Sequence, residues 1–521
     1  VMSKVTSFFR LIGVGLVLAR YDTLVPSAFA GLLPFGTKVI GILARFGRSI
    51  PEGNRGERLA RALEKLGPTY VKLGQFMATR SDLLSKEIVE GLSTLKDQME
   101  PFPQQEAEAE MAAEFGKDWR EIFVEFSPSI AAASVAQVHK AKTANGENVA
   151  VKLLRPGIKA QILQDIEVLS LGAKLAERWF VASRRMEPVR FIDTVSRSLL
   201  LEMDLRMEAA ACSELVEIAT TIDTVYIPQP HWELTREDIL VIDWVDGIAL
   251  TKLQDLRDSE IDLVEIAKVI PISFLSFALN HGVFHADQHE GNMFALADGR
   301  LALVDFGIVG RIGPPQRRYL AEILYGFLKR DYRRVAEVHF EAGYVPRTHL
   351  VDDFAQALRA VGEPVFGKRA KDVSMGRLLL QLFAVTARFN MHLRPELVLL
   401  QKTMVQVEGV ARTLDPEHDL WAATAPVIES WIKRELGPEG QLNEFTDDLL
   451  DLRDAVRELP SAIQNMALVV EQTKDQGFSL NEDSLKRLSQ WQARVHRLRD
   501  FAITAAAFAV LLAALNLVFW Q

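Results

Sequence analysis

Residues 55–125 read as helices, and Gly67-Pro68 marks a fresh start for the helical segment Thr69–Thr79. The pattern changes near Pro128. Val135–Ala141 and Asn148–Leu154 are short β-type runs joined through Asn145-Gly146, a dipeptide that favours a hairpin turn. Helical spacing returns from Ile158 to about Ile218, and Ile239–Trp244 is an apolar run of strand length. Beyond Asp246-Gly247 the expectation is helix as far as Gly282. Asn292–Leu296 and Leu301–Val304 then flank Asp298-Gly299, which predicts a second, two-residue hairpin. From Pro314 to Asp500 almost everything reads as helix, with no internal repeat and no low-complexity tract. The pattern predicts an α+β chain: a small β-containing lobe, a larger helical lobe with one hairpin between them, and helical additions at both ends.

Both ends look toward a membrane. Phe501–Trp520 has only Thr504 and Asn516 as polar side chains, and twenty helical residues reach about 30 Å, the thickness of a hydrocarbon core. Arg494, His496, Arg497 and Arg499 precede it, so the positive-inside rule puts the rest of the chain in the cytoplasm. The alternative is a buried core helix. Residues 1–50 carry Lys4, Arg10, Arg20, Lys38, Arg45 and Arg48 against one acid, Asp22. Their apolar runs Leu11–Ala19 and Leu24–Thr37 are too short to span, which predicts a segment lying on the interface. Arg20, Pro26 and Pro34 interrupt any signal-peptide core.

The length of 521 residues allows three or four units, or one large enzyme domain with helical additions. A chain that is 49% hydrophobic and 25% charged folds around large cores, which excludes collagen, wholesale disorder and a polytopic membrane protein. With 60 Lys+Arg against 69 Asp+Glu the net charge is −9, so no global basic field is available to hold nucleic acid. The single cysteine, Cys212, excludes an internal disulfide framework and a Cys-rich zinc site, and reads as a buried small hydrophobe rather than a nucleophile.

Candidate chemistry gathers at the second hairpin. His285, Asp287, His289 and Asn292 lie in the loop that enters it, and Asp305-Phe306-Gly307 lies at its exit. A hairpin returns its ends to one place, so Asn292 and Asp305 should be close. Hard oxygen ligands of this kind suit Mg²⁺, which is held by one or two protein oxygens together with substrate phosphates. Zinc at His285 and His289 is disfavoured because no Cys or third His is near; His285 is expected to buttress the loop through hydrogen bonds. Phosphoryl transfer also needs a cation on the phosphates. Lys152 ends the strand-like Val149-Ala150-Val151-Lys152, after the small-residue turn Ala131-Ala132-Ala133-Ser134. Strand lysine, hairpin, D-x₄-N loop and DFG form an ordered set, far more specific than any one of them.

With Lys72-Leu73-Gly74-Gln75 (KxGQ), Ala131–Ser134 (AAAS), Glu202-Met203-Asp204 (ExD), His285–Asn292 and Val304–Gly307, the chain resembles the protein-kinase-like fold and, within it, the atypical UbiB family. The resemblance runs from about residue 10 to 420, adding Arg20-Tyr21 early and Glu408-Gly409 with Arg412–Pro416 late. It implies a two-lobe protein-kinase-like fold with a helical N-terminal extension, C-terminal helices and one transmembrane helix. The corresponding segments are an interface segment 1–50, a KxGQ extension 51–127, a small lobe 128–246, a large lobe 247–430, a helical region 431–500 and a span 501–520.

The resemblance also implies roles. Lys152 would hold the α/β-phosphates, Asp305 and Asn292 would ligate Mg²⁺, and Asp287 would orient the attacking oxygen. Ala131, Ala132, Ala133 and Ser134 would line the phosphates, and the backbone of Ile242-Asp243-Trp244-Val245 would pair with adenine through Asp243 and Val245. Lys72 and Gln75 would sit on a helix folded over the place where a protein substrate docks, with Lys72 in a buried ion pair. Asp204 and Glu208 share a helix face whereas Glu202 points elsewhere, so Glu208 is assigned to Lys152, leaving Glu202 and Asp204 for Lys72. His285 and His289 support the loop.

The departures carry weight too. Alanines stand where a phosphate loop usually uses glycine, which predicts a stiffer turn and an altered nucleotide preference. Ala286 follows His285 where typical protein kinases have Arg, and only Ile308–Pro315 separates the DFG from helical text, so a peptide-holding activation segment is missing. The expected function is a membrane-associated enzyme that binds Mg-ATP and hydrolyses it to support ubiquinone biosynthesis at a bacterial-type inner membrane. Its expected partners are the nucleotide, membrane lipid and quinone-precursor-like lipids, and enzymes of ubiquinone biosynthesis, with no nucleic acid. The alternative is a non-catalytic nucleotide-binding scaffold organising a membrane-bound complex. A true protein kinase is disfavoured by the missing segment.

Overall fold

The structure, a computed structural model, describes residues 4–23, 51–78, 84–95, 99–116, 118–179, 187–364, 385, 388–391 and 395–437. The expected span 501–520, most of the interface segment and nearly all of 431–500 lie outside the described residues. Two units divide the chain, Val1–Glu429 and Ser430–Gln521. Of the second, the described residues are Ser430–Gly437, mostly the end of the helix Leu420–Leu436.

Among the described residues the small lobe is built on β1 (Phe123–Ala132), β2 (Ala136–Thr143) and β3 (Asn148–Leu154). The two-residue β4 (Val225–Tyr226) precedes β5 (Ile239–Asp243), which joins the first three in an antiparallel sheet of order β1-β2-β3-β5. Period-two alternation places Val149, Val151 and Leu153 of β3 in a core with Phe102, Met111, Trp119 and Phe123. Ala150 and Lys152 therefore face the other way. Lys152 sits opposite Val138 on β2 and Leu240 on β5, so strands on both sides fix its backbone.

Three expectations need correction here. The run read as helix to residue 125 gives way to β1 at Phe123. Pro128 falls where the β1–β2 register shifts between Phe126 and Ser129, on the sheet edge, the place where a strand tolerates a missing N–H. Both hairpins close through three-residue loops rather than two: Thr143 N–H donates to Glu147 O (2.9 Å) and Leu296 N–H to Arg300 O (2.9 Å). Gly146 (φ +87°) and Gly299 (φ +84°) take the left-handed position that ends such loops.

Strand β6 (Gly247–Ala249) occupies the start of the stretch expected to be helical to Gly282, and β7 (Val283–His285) follows directly after it. Between them the apolar helix Leu263–Ser276 runs into a π-turn, Phe277–His281. Together, Leu263–His281 is the one run among the described residues long and apolar enough to cross a membrane, and 61% of its apolar window is buried inside the protein. It packs with the helix Pro395–Leu414 around Phe274, Phe277, Phe284, Met293 and Val407. β8 (Met293–Leu296) and β9 (Leu301–Leu303) form the second hairpin, and β10 (Val309–Arg311) pairs with β7. The helix Pro314–Lys329 follows β10 almost at once.

The N-terminal extension begins with the helix Lys4–Arg20, whose Arg10 reaches the buried Asp165 at 2.9 Å. Asp165 also accepts from Thr69 Oγ1 (2.8 Å) at the start of the KxGQ helix Pro68–Ala78. The preceding helix Arg55–Leu66 opens with a reciprocal Asn54–Glu57 capping box.

Candidate nucleotide and metal site

Lys152 Nζ donates to both oxygens of Glu208, at 2.8 and 2.9 Å, and to Asp305 Oδ1 at 3.0 Å. Burial works against its charge, but Asp305 and Glu208 outweigh it and hold the ammonium above its usual pKa. Glu208 is pushed up to about 6 because burial opposes its charge more strongly than Lys152 supports it. Asp305 moves the other way: burial would raise its pKa, yet Lys152 holds it well below the usual carboxylate range. The three groups form one triad, with Glu208 and Lys152 largely covered and Asp305 open on one side, and a net charge of −1 when all are ionised.

Glu208 lies in the first turn of the helix Leu205–Ala219. The helix Pro188–Glu202 ends just before it, and the Met203-Asp204 break separates the two glutamates onto different helices. Glu202 meets Lys72 at 3.1 Å. Asp204, assigned with it to Lys72, does not join that pair: it caps the second helix through Arg206 N–H (3.1 Å) and binds the Arg206 guanidinium at 2.7 and 2.8 Å. A short carboxylate at an N-cap is drawn to the free helix amides. Gln75 also lies apart from the triad contacts, its amide directed to Leu95 O at 3.5 Å.

The second hairpin organises the remaining groups. Val304 N–H donates to Asn292 O at 3.0 Å, so Asn292 and the residue preceding Asp305 are neighbours. Asp305 holds φ +63°, a left-handed conformation uncommon for a residue with a side chain and frequent at strained functional positions. His285 is buried. Its Nδ1 accepts from Asp287 N–H (3.1 Å), so its Nε2–H donates to Val304 O (3.0 Å), and burial lowers its pKa to keep the ring neutral. His289 Nδ1 accepts from Gly291 N–H at 3.0 Å, and its Nε2 is 3.9 Å from Asp287.

Asp287 is where the sequence reading was incomplete. Its Oδ1 accepts from Lys402 Nζ (3.1 Å) and from Gln406 Nε2 (3.2 Å), both on the helix Pro395–Leu414. Thr403 Oγ1, between them, shares its one proton between Ala286 O (3.0 Å) and Leu399 O (2.9 Å) one turn back on its own helix. Burial would raise the Asp287 pKa, but Lys402, His289 and the hydrogen bonds keep it below the usual value. The available signal was the i, i+4 spacing of Lys402 and Gln406, which puts both on one helix face.

The turn and linker are more committed than expected. Ala133 N–H donates to Ala136 O (2.7 Å), while Ala132 O accepts from Met99 N–H (3.2 Å), so these groups are engaged before any phosphate arrives. Ala131 and Ala132 end β1, and Ser134 Oγ is buried with no partner among the described residues. Asp243 N–H donates to Gln229 O (3.0 Å), and its carboxylate accepts from Gln229 N–H (3.0 Å) and pairs with His231 (2.9 Å). Val245 is buried against Leu296 and Ala302.

These donors fit a magnesium ion completed by phosphate. Asn292 Nδ2 donates to Asp287 O (3.1 Å), so its side-chain oxygen is the atom that would ligate a metal together with Asp305. Among the described residues no group of three or more His, Cys, Asp or Glu forms a cage that would bind metal alone.

Fold and site together define a two-lobed protein-kinase-like protein. Residues 94–339 match the ABC1 atypical kinase-like domain, and residues 358–419 match the UbiB helical domain. The chain is 37% identical to a probable protein kinase UbiB of Marinobacter nauticus over 500 residues, 94% of this chain and 91% of that protein. It is 38% identical to the like-named protein of Azotobacter vinelandii, over 89% and 88% of the two chains. The chain belongs to the UbiB family of atypical kinase-like proteins. The structure titled as the Rv3197–erythromycin complex from Mycobacterium tuberculosis shares the fold, with a TM-score of 0.52 at 20% identity, covering 78% of this chain and 99% of that one.

Proposed function

We propose that the chain binds Mg-ATP between its lobes and hydrolyses it at a membrane surface in support of ubiquinone biosynthesis. The observation that carries the reading is the convergence of Lys152, Glu208 and Asp305 within hydrogen-bonding distance, beside Asn292 and Asp287. Mg²⁺, held by Asp305 and Asn292, would neutralise phosphate charge. Lys152 exchanges Asp305 for the α/β-phosphates while Glu208 keeps its ammonium in place. Asp287 orients a water whose oxygen bonds to the γ-phosphorus as the bond to the β–γ bridging oxygen breaks, and it accepts the water's proton. The short run between Gly307 and the helix at Pro314 leaves little chain to hold a peptide, which favours water as acceptor.

Membrane association is part of the same proposal. The described N-terminal helix exposes Phe8, Phe9, Ile12 and Leu16, and the uncharged run 501–520 supplies a single anchor with the kinase-like part on the cytoplasmic side of a bacterial inner membrane. Membrane lipid, quinone-precursor-like lipids and enzymes of ubiquinone biosynthesis are the corresponding partners. One observation favours the scaffold reading: Asp287 and Asp305 are each engaged by a lysine, as in a chain that binds without turnover.

Phosphate release from Mg-ATP with anionic liposomes, in wild type and Asp305→Asn, separates the readings. Turnover lost in Asp305→Asn is the expected result. Nucleotide binding that needs Asp305 without any turnover would move the conclusion to the scaffold.

A further inference from the structure

Lys402 lies outside the kinase-like match, in the helical domain, yet its ammonium rests on the loop that carries Asp287. An exposed lysine–carboxylate pair is ordinarily worth little. Three features set this one apart. The helix is pinned to the loop one residue further on, by the buried Thr403 hydroxyl on Ala286 O, and Val407 anchors it in the core. Asp287 Oδ1 keeps a second donor, Gln406, if Lys402 departs, so no carboxylate oxygen is stranded. The loop Ala286–Gly291 contains no Lys or Arg, so a terminal phosphate presented to Asp287 would meet no permanent cation from the loop itself.

We propose that Lys402 is a catalytic cation for the terminal phosphate of a nucleoside triphosphate. In the structure it rests on Asp287. With triphosphate bound, its long flexible stem moves the ammonium onto the γ-phosphate oxygens, and Gln406 acts as the positioning residue that retains Asp287. Lys402 keeps its proton throughout: it stabilises charge as the attacking oxygen bonds to phosphorus and the bond to the leaving diphosphate breaks. The inference rests on the Mg-ATP reading and assigns the γ-phosphate end of that site to the helical domain.

The test uses the full chain with Mg-ATP and Mg-ADP as separate probes, in wild type, Lys402→Met and Lys402→Arg. Lys402→Met should lower kcat by about 10²-fold, the scale for removing one preorganised charge-stabilising donor. It should weaken ATP binding by roughly tenfold and leave ADP binding within about twofold, since ADP lacks the group Lys402 holds. Lys402→Arg should restore much of the loss, which a packing defect would not allow. Equal weakening of ATP and ADP, or turnover by Lys402→Met within about threefold of wild type, overturns the proposal. If the chain binds nucleotide without turnover, the ATP-to-ADP affinity ratio decides alone: collapse toward unity in Lys402→Met supports the assignment and an unchanged ratio rejects it. Wild type that binds neither nucleotide rejects the Mg-ATP reading and this inference together.

Discussion

Lys152 and Lys402 each meet an aspartate of the same hairpin, one from the small-lobe sheet and one from the helical domain, and they are held differently. Lys152 stands on a central strand, its side chain 17% exposed, and two carboxylates share it. Lys402 extends from a helix surface with its side chain 42% exposed, and the carboxylate it touches has Gln406 as a second donor. Removing Lys152 strands the covered Glu208 and takes the cation from Asp305; removing Lys402 leaves Asp287 still hydrogen-bonded. The first lysine is held from two sides, and the proposed role of the second requires it to move. On the proposed reading, one site would combine a fixed grip on a ligand with a responsive contact at its reacting end.

The largest test of that contrast is Lys152→Met, expected to lower kcat/KM for Mg-ATP by about 10⁴-fold or more, an order of magnitude beyond the combined kcat and affinity loss of Lys402→Met. Equal losses in steady-state phosphate release would break the comparison. Next, Glu208→Gln should weaken Mg-ADP binding by about tenfold, because it removes the charge that orients Lys152, whereas Glu202→Gln should stay within about threefold. Titration of both variants reads this directly, and a reversed order would exchange the roles of the two glutamates. Thr403→Val loosens the Lys402 helix from the loop without touching either lysine. It should lower kcat by about fivefold with ADP binding unchanged, the loss of one neutral hydrogen bond.

A last test, on stability and not on turnover, separates the site from the scaffold around it. His339, buried beside Phe354 and Tyr344, has its pKa lowered to about 4 by burial. A depressed histidine contributes stability that is present above its ordinary value of 6.5 and lost as pH falls toward 4. That loss amounts to about 2 kcal/mol between pH 6.5 and 5. Glu208, raised to about 6, has the opposite sign: on acidification it gains a proton that burial favours, while Lys152 loses an ionised partner. Thermal melts of wild type and His339→Gln at both pH values should show the acid loss shrinking in the variant. Mg-ADP affinity should still weaken below pH 6 in that variant.

Most of the small-lobe half of the site was legible in the sequence because its signals are local. Alternation alone turns Lys152 away from Val149 and Val151, and a hairpin brings Asn292 beside Asp305 whatever surrounds it. The helical half was not. Lys402 and Gln406 are 115 and 119 residues beyond Asp287, and only packing of their helix on Leu263–Ser276 decides which face meets the loop. Asp204 was misassigned because face arithmetic assumed one continuous helix, whereas its own carboxylate caps a new one. The hairpin loops were read one residue short because Asn-Gly and Asp-Gly also serve three-residue turns. The asymmetry is physical: periodicity reports which face is buried, not which distant partner buries it.

The pinning of the Pro395–Leu414 helix to the Ala286-Asp287 loop also imposes an order on biosynthesis. A nascent chain emerges N-terminus first. Lys72, Lys152, Glu208, Asp287 and Asp305 are all translated before Lys402 and Gln406 exist. Until that late helix docks, the ribosome-bound chain carries an aspartate without its two side-chain donors, and the site is finished only when the helical domain arrives. Completeness of the site thus reports completeness of the kinase-like and helical domains: a product cut off before residue 402 has Lys152, Glu208 and Asp305 but lacks the side chains held against Asp287.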